Sequence, residues 1–336
     1  MEAHELQQQF FSQLKGRLAP HQSLAEEVAD LLQLSTDSAY RRIRGEKPIS
    51  LDELQKLCRH FQVSLDRLMN INSNAVVFYG NWADDSEFNF KKYLQAWLEN
   101  LRMINSAKNK HFSYEAKDIP PHHYYQFELL ASLKFFFWMR TVLSYEEYVN
   151  ISFEDFQAEK ELYTIGLDIL KVYSQIPSSE IWTYETVNST LRQIEYFEAS
   201  GIIRNRETAQ QLYDEVYKLV MHVKEQAACG EKFLYNEKPS KKNSNFNLYF
   251  NELTTGHNTG LAELDGELIV FLNHGIMNYI VTRDEKFCLH TKKSLENTMK
   301  KSTLISSVSE RERNRFFNML YQKVEEGKKS AITNFR

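Results

Sequence analysis

Apolar residues recur at helical spacing from the start of the chain. Leu6, Phe10, Phe11, Leu14 and Leu18 predict an amphipathic helix over residues 4 to 18. Leu24, Val28, Leu31 and Leu32 follow at i, i+4, i+7 and i+8 behind Ser23, whose hydroxyl can cap that helix. A short helix from Thr36 to Arg44 comes next, with Ser35 as its cap. Its Ala39 and Ile43 form the i, i+4 pair that faces a core, which leaves Thr36, Asp37, Tyr40, Arg41 and Arg44 on the outside. Gly45 stops this helix and Pro48 keeps the next segment from continuing it. Ser50 and Glu53 make an S-x-x-E capping box for a helix carrying Leu54, Leu57, Cys58 and Phe61, and Ser64 caps a last short helix with Leu65 and Leu68. The polar run from Asn70 to Asn74 then closes a five-helix domain over residues 1–70.

The pattern changes from Ala75. Ala75 to Tyr79 reads as a strand or connector and His111 to Pro121 as extended, since Pro120 and Pro121 disfavour helix before them. Helical spacing predicts helices over 88–104, 123–143, 152–174, 179–200 and 206–229, the second unusually rich in aromatics. Short connections suggest that residues 75–236 form a helical bundle or solenoid-like region, although no repeat period is present. Glu237 to Asn245 is a polar break. Phe246 to Thr291 then reads as a small antiparallel β element, with a hairpin at Asp265-Gly266, strands over 268–272 and 276–281, and a further strand over 287–290. Helices return over 294–301 and 309–326 ahead of a loose tail from Lys328, so residues 246–336 make a small α+β region in a mainly α protein.

Residues 23–68 resemble the helix-turn-helix domain of the Cro/C1-type (XRE) transcription regulators, of the lambda-repressor-like fold. The resemblance is carried by Val28-Ala29, Leu34-Ser35, Arg44-Gly45, Pro48-x-Ser50 and Val63-Ser64-Leu65-Asp66-x-x-Leu68. Gln33 stands where the family usually has a turn glycine, so a left-handed backbone there costs about 1 kcal/mol more than with Gly. Ala25 occupies the place of a phosphate-contacting Gln in many members. The resemblance implies a bacterial, sequence-specific regulator that binds double-stranded DNA as a homodimer, its two recognition helices about 34 Å apart. Residues 75–336 would then supply dimerisation and the sensing of a small-molecule or peptide effector, as in XRE-type regulators with a large helical body.

On that reading Arg41, with Arg42 as the alternate, donates bidentately to guanine O6 and N7. Thr36, Asp37, Ser38 and Tyr40, on the helix capped by Ser35, make further base or phosphate hydrogen bonds. Arg44, Lys47 and the free N–H groups after Ser50 hold phosphates.

Charge narrows the picture without making the case. Residues 1–70 carry a net −1, residues 71–282 a net −9 and residues 283–336 a net +6, within an overall −4. A nearly neutral domain binds DNA weakly as a monomer, which favours a dimer. Three widely spaced cysteines, Cys58, Cys229 and Cys288, show no disulfide framework or zinc pattern, and no signal peptide or membrane span is visible, so the cytoplasm is the expected home. His257, His274 and His290 match no ligand spacing, and adjacent His122 and His123 are expected to point in different directions. The aromatic run of Tyr124, Tyr125, Phe127 and Phe135 to Trp138 is either core or the wall of a ligand pocket. No phosphate loop, nucleophile elbow or paired carboxylates mark a catalytic site, and no cofactor or metal is expected. Two alternatives stay open: a module that sequesters a partner protein through its helical body, and an enzyme in the C-terminal region.

Overall fold

The computed structural model describes residues 3–16, 18, 22–61, 63, 76–81, 89–240, 245–253, 257–275 and 277–334. The chain divides into two compact units, Met1–Val77 and Phe78–Arg336. It is mainly helical, with one eight-stranded sheet among the described residues.

In the N-terminal unit the described helices are α1 (Ala3–Lys15), α2 (Leu24–Leu32), α3 (Thr36–Ile43) and α4 (Leu51–Phe61). Phe10, Phe11, Leu14, Val28, Ala39 and Leu57 close the core between them. The expected fifth helix with Leu65 and Leu68, and the expected boundary at 70–74, lie outside the described residues. Gln33 does adopt the left-handed conformation, at φ 55° and ψ 51°, and ends α2 there. Ser23 sits at the N-cap of α2, but its side chain makes no capping bond.

The C-terminal unit starts with β1 (Tyr79–Asn81), α5 (Phe90–Ser106) and β2 (Lys110–Glu115). A 3₁₀ turn over Pro121–Gln126 leads into α6 (Glu128–Phe136), which widens into a π turn over Phe137–Val142. Then come α7 (Glu146–Val149), α8 (Lys160–Ser174), β3 (Ser178–Trp182), α9 (Asn188–Ala199) and α10 (Arg206–Cys229). Strands β4 (Phe246–Phe250), β5 (Thr259–Leu264), β6 (Glu267–Asn273) and β7 (Tyr279–Thr282) follow. Helix α11 (Glu285–Lys300), β8 (Thr303–Leu304) and α12 (Glu310–Asn334) complete the unit.

The strand order is β1-β7-β6-β5-β2-β3-β4-β8, with β3 parallel to both β2 and β4 and every other pairing antiparallel. One face carries the main core, in which Trp182, Phe246 and Leu248 meet helical residues such as Leu133, Val216 and Phe316. The opposite face is covered by α11 through Cys288 and Leu295, which pack on Ile181, Leu261 and Val270. Strand β3 is therefore covered on both sides and all five of its residues are buried.

These elements correct several expectations. Ser178–Trp182 is a central strand where a helix beginning at Ser179 was expected, and α8 begins only at Lys160. Residues 287–290 lie inside α11, and α12 runs through the expected loose tail to Asn334. Strands on both sides of the polar 237–245 segment belong to one sheet, so helices packed on a mixed sheet replace the expected separate bundle and antiparallel element. The Asp265-Gly266 hairpin is present, with φ of 47° and 97° at its two turn residues as a type I′ turn requires.

Candidate functional site

Three local arrangements fix α3. At its start Ser35 Oγ accepts from the Ser38 N–H at 3.3 Å. On its inner face Arg42, only 5% exposed, donates through Nη2 and Nε to the two carboxylate oxygens of Glu53 at 2.7 and 3.2 Å, and through Nη1 to the Ser38 carbonyl at 3.2 Å. Glu53 also accepts from the Ser50 N–H at 3.0 Å, while its own N–H donates to Ser50 Oγ at 3.2 Å, which completes the capping box of α4. The hydrogen bond and charge of Arg42 hold the Glu53 carboxyl below the usual carboxylate range against the opposing effect of burial. At the end of α3, Gln7 of α1 donates to the Arg42 and Lys47 carbonyls at 2.7 and 2.8 Å and accepts from the Ile49 N–H at 3.1 Å. Gln8 donates to the Arg44 carbonyl at 2.7 Å. Gly45 takes φ +79° beneath α1, where a Cβ would lie 3.2 Å from the His4 carbonyl.

The outer face of α3 presents Thr36, Asp37, Arg41 and Arg44, with Tyr40 49% exposed among them. Lys47 and Ser50 are exposed just beyond, Ser35 is exposed at the cap, and Ser38 is half-buried. Arg42 is the correction. It lies three residues from Ala39 on the buried face and is engaged by Glu53, so its side chain is not part of the exposed face, where Arg41 stands. Glu46 sits inside the basic strip, 3.0 Å from Arg44 Nε and 3.8 Å from Arg41 Nε, a counter-charge that the sequence reading overlooked.

A second polar constellation lies inside the C-terminal unit. Glu180 on β3 is fully buried on the main-core side and accepts from Trp182 Nε1 at 2.7 Å and from the Tyr173 hydroxyl. His123 Nε2 lies 3.3 Å from Glu180 Oε1 and His122 Nε2 lies 3.7 Å from it. The adjacent histidines thus converge on one carboxylate, with ring centroids 4.5 Å apart, where divergent side chains were expected. Burial and the neighbouring His123 push His122 down to about 3, so it is neutral at pH 7. Burial alone would raise Glu180, but the two histidines hold its carboxyl well below the usual range. Lys232 is buried beside Tyr173, donates to Ser178 Oγ at 2.7 Å, and is brought down to about 7 by burial, opposed by Glu180.

The ligand atoms of His122, His123 and Glu180 lie within 4.8 Å of one another, a spacing that can surround a divalent ion. Tyr173 and Trp182 donate to Glu180 and His123 Nε2 lies within hydrogen-bond distance of it, while His122 Nε2 and His123 Nδ1 are buried without a hydrogen-bond partner. His257, His274 and His290 are exposed and are not brought together. Of the aromatic run, Tyr124, Tyr125, Phe127, Phe135 and Phe136 are core, Trp138 borders a cavity together with Tyr93, Trp97 and Tyr173, and Phe137 and Tyr125 each border a more open cleft.

Residues 8–80 match the family model for the BetR domain. The matched stretch takes in most of α1 and all of α2, α3 and α4, and it ends just beyond the N-terminal unit. No curated protein and no solved structure matches the chain.

Proposed function

We propose that this chain is a sequence-specific, double-stranded-DNA-binding transcription regulator of the Cro/C1 (XRE) type, working as a cytoplasmic homodimer. Residues 1–70 would be its lambda-repressor-like reading head, and the C-terminal unit its dimerisation and effector-sensing body. The observation that carries this reading is the outer face of α3, where Thr36, Asp37, Tyr40, Arg41 and Arg44 stand exposed on a helix whose inner face is locked by Ala39 and the Arg42–Glu53 pair. A helix rigid on one side and polar on the other suits entry into a major groove, where Arg41 would address guanine and Arg44 and Lys47 would hold phosphates. Glu46 neutralises part of that strip, so one copy would bind weakly and two would be needed.

Selection of bound sequences from a random duplex pool at two salt concentrations tests the reading. The expected result is a palindrome with half-sites about one turn apart. Arg41→Ala should lower affinity for the selected site about 10- to 100-fold and relax one position of the motif, with the fold intact. Weak, salt-sensitive binding without a motif, together with a DNA-independent complex formed by the C-terminal unit, would replace this reading with partner sequestration.

A further inference from the structure

The C-terminal unit holds a cavity of ≈ 130 Å³ on the main-core side of its sheet. Its walls are rings from four directions: Tyr93 and Trp97 of α5, Tyr114 of β2, Tyr173 of α8 and Phe271 of β6. We propose that this cavity binds a small uncharged molecule with one aromatic ring and one hydrogen-bonding group, of the size of phenol. Its role as an effector rests on the regulator reading above, whereas its binding does not.

Size sets the first limit. An apolar cavity of about 150 Å³ accepts a benzene ring, so this one holds a single ring and excludes fused ring systems. Glycine at position 260 on β5 helps to keep the space, because a Cβ there would lie 2.9 Å from Phe112 Cζ at the cavity wall.

Charge sets the second limit. Among the described residues the lining contains no Asp, Glu, Lys or Arg, and one histidine, His122, borders it. An anionic ligand would meet no counter-ion among them, at the cost of an unpaired buried charge. A cation could lie on aromatic faces. The carboxylate reached through His122, Glu180, is however already engaged by Tyr173, Trp182 and His123.

Polarity sets the third. Asn100 Nδ2 donates to the Tyr279 hydroxyl at 2.9 Å, and Asn273 faces Tyr279 across the β6–β7 pairing. Asn100, Asn273 and Tyr279 all border the cavity and form a polar corner in a mostly apolar wall, which also holds Asn258 and His122. A ring with a single hydroxyl directed to that corner fits this division, since ligand sites combine apolar walls with a few convergent polar groups.

Titration calorimetry of the full chain with phenol, benzoate and tetramethylammonium tests the proposal without DNA. Phenol should saturate one site per chain below about 10 mM, and benzoate and tetramethylammonium should give no saturable heat. Gly260→Val should abolish phenol binding. Tyr279→Phe, a milder change, should weaken it about two- to ten-fold if the corner supplies a hydrogen bond. Near-UV circular dichroism reports whether each variant keeps its packing, and Tyr279→Phe alone decides if Gly260→Val does not fold. The proposal is overturned by an absence of saturable phenol binding, by saturation with benzoate or tetramethylammonium instead, or by phenol binding that Tyr279→Phe leaves unchanged. Failure of the DNA selection would remove the effector role and leave these binding results standing.

Discussion

Replacing Glu53 with Ala would test the packing of α3 most directly. The carboxylate receives two hydrogen bonds from Arg42 and one from the Ser50 N–H, so Ala removes an ion pair and half of a capping box together. Breaking a buried ion pair by removing one partner costs about 3–5 kcal/mol. The Arg42 side chain is 6% exposed and that of Glu53 20%, so some water can reach the stranded guanidinium and the pair lies below that range. Adding about 0.5–1 kcal/mol for the lost cap arm gives an expected cost of about 2–4 kcal/mol at pH 7. Hydrogen–deuterium exchange of the α3 and α4 amides in the full chain reads this locally, as exchange accelerated about 30- to 1000-fold.

The pH dependence supplies a second check. Glu53 has a depressed value in the folded chain, so its contribution is present above the ordinary carboxylate range and is lost as pH falls through the folded value. The gap between Glu53→Ala and the native chain should therefore shrink as pH falls below the ordinary carboxylate range. Exchange within about two-fold of native at pH 7, or a gap that does not shrink in acid, would refute the claim that this pair locks the helix.

Three further outcomes follow from neighbouring contacts. Arg42→Met should leave the selected DNA motif unchanged while lowering the stability of the N-terminal unit by about 1–3 kcal/mol in denaturant unfolding, and an altered motif would return Arg42 to the base-reading role. Glu46→Gln frees Arg41 and Arg44 from their counter-charge, so non-specific duplex binding should tighten about two- to five-fold at low salt and its salt dependence should steepen; equal binding curves at two salt concentrations would count against the strip as a phosphate contact. Glu198 on α9 is buried with Oε1 unpartnered, and burial raises it to about 7. A raised acid stabilises the fold below its ordinary value and loses that contribution as pH rises through 7, so Glu198→Gln should add about 1–3 kcal/mol at pH 8 and little at pH 4.5, read from unfolding at both.

The N-terminal unit was the more legible part because its signals are local. Ser35, the Ser50–Glu53 box and the Ala39 face each act within four residues, and all three appear as expected. Arg42 was misplaced because its charge suggested solvent, although it lies at i+3 from Ala39, and its partner lies eleven residues away on another helix. Gln7 gave no local sign either, since its three partners, in and just beyond α3, lie 35 to 42 residues away.

In the C-terminal unit the failures share one cause. Strand β3 is buried on both faces, so Ser178–Trp182 lacks the polar–apolar alternation that marks a half-exposed strand. Glu180 drew no attention because its significance depends on Tyr173, Trp182 and the two histidines, which three separate elements bring to it. Pro121 opens a 3₁₀ turn at His122 and His123, and that tighter winding lets neighbouring rings reach one carboxylate.

The sheet also sets a timetable. Phe112 of β2 pairs with Ala262 of β5, about 150 residues later, and β8 at Thr303–Leu304 closes the far edge on β4. The contacts that hold α3, by contrast, reach no further than from Gln7 to Ile49. At about 5–20 residues per second, a ribosome needs roughly 10–45 s to travel from the end of the first unit to the last strand. During that interval α3 can already be formed and capped while the central strands still lack partners, because distant pairings must wait for their chain to exist. A message cut short before β8 would release a chain with a finished outer helix face and an unfinished sheet, exposing strand edges that aggregate.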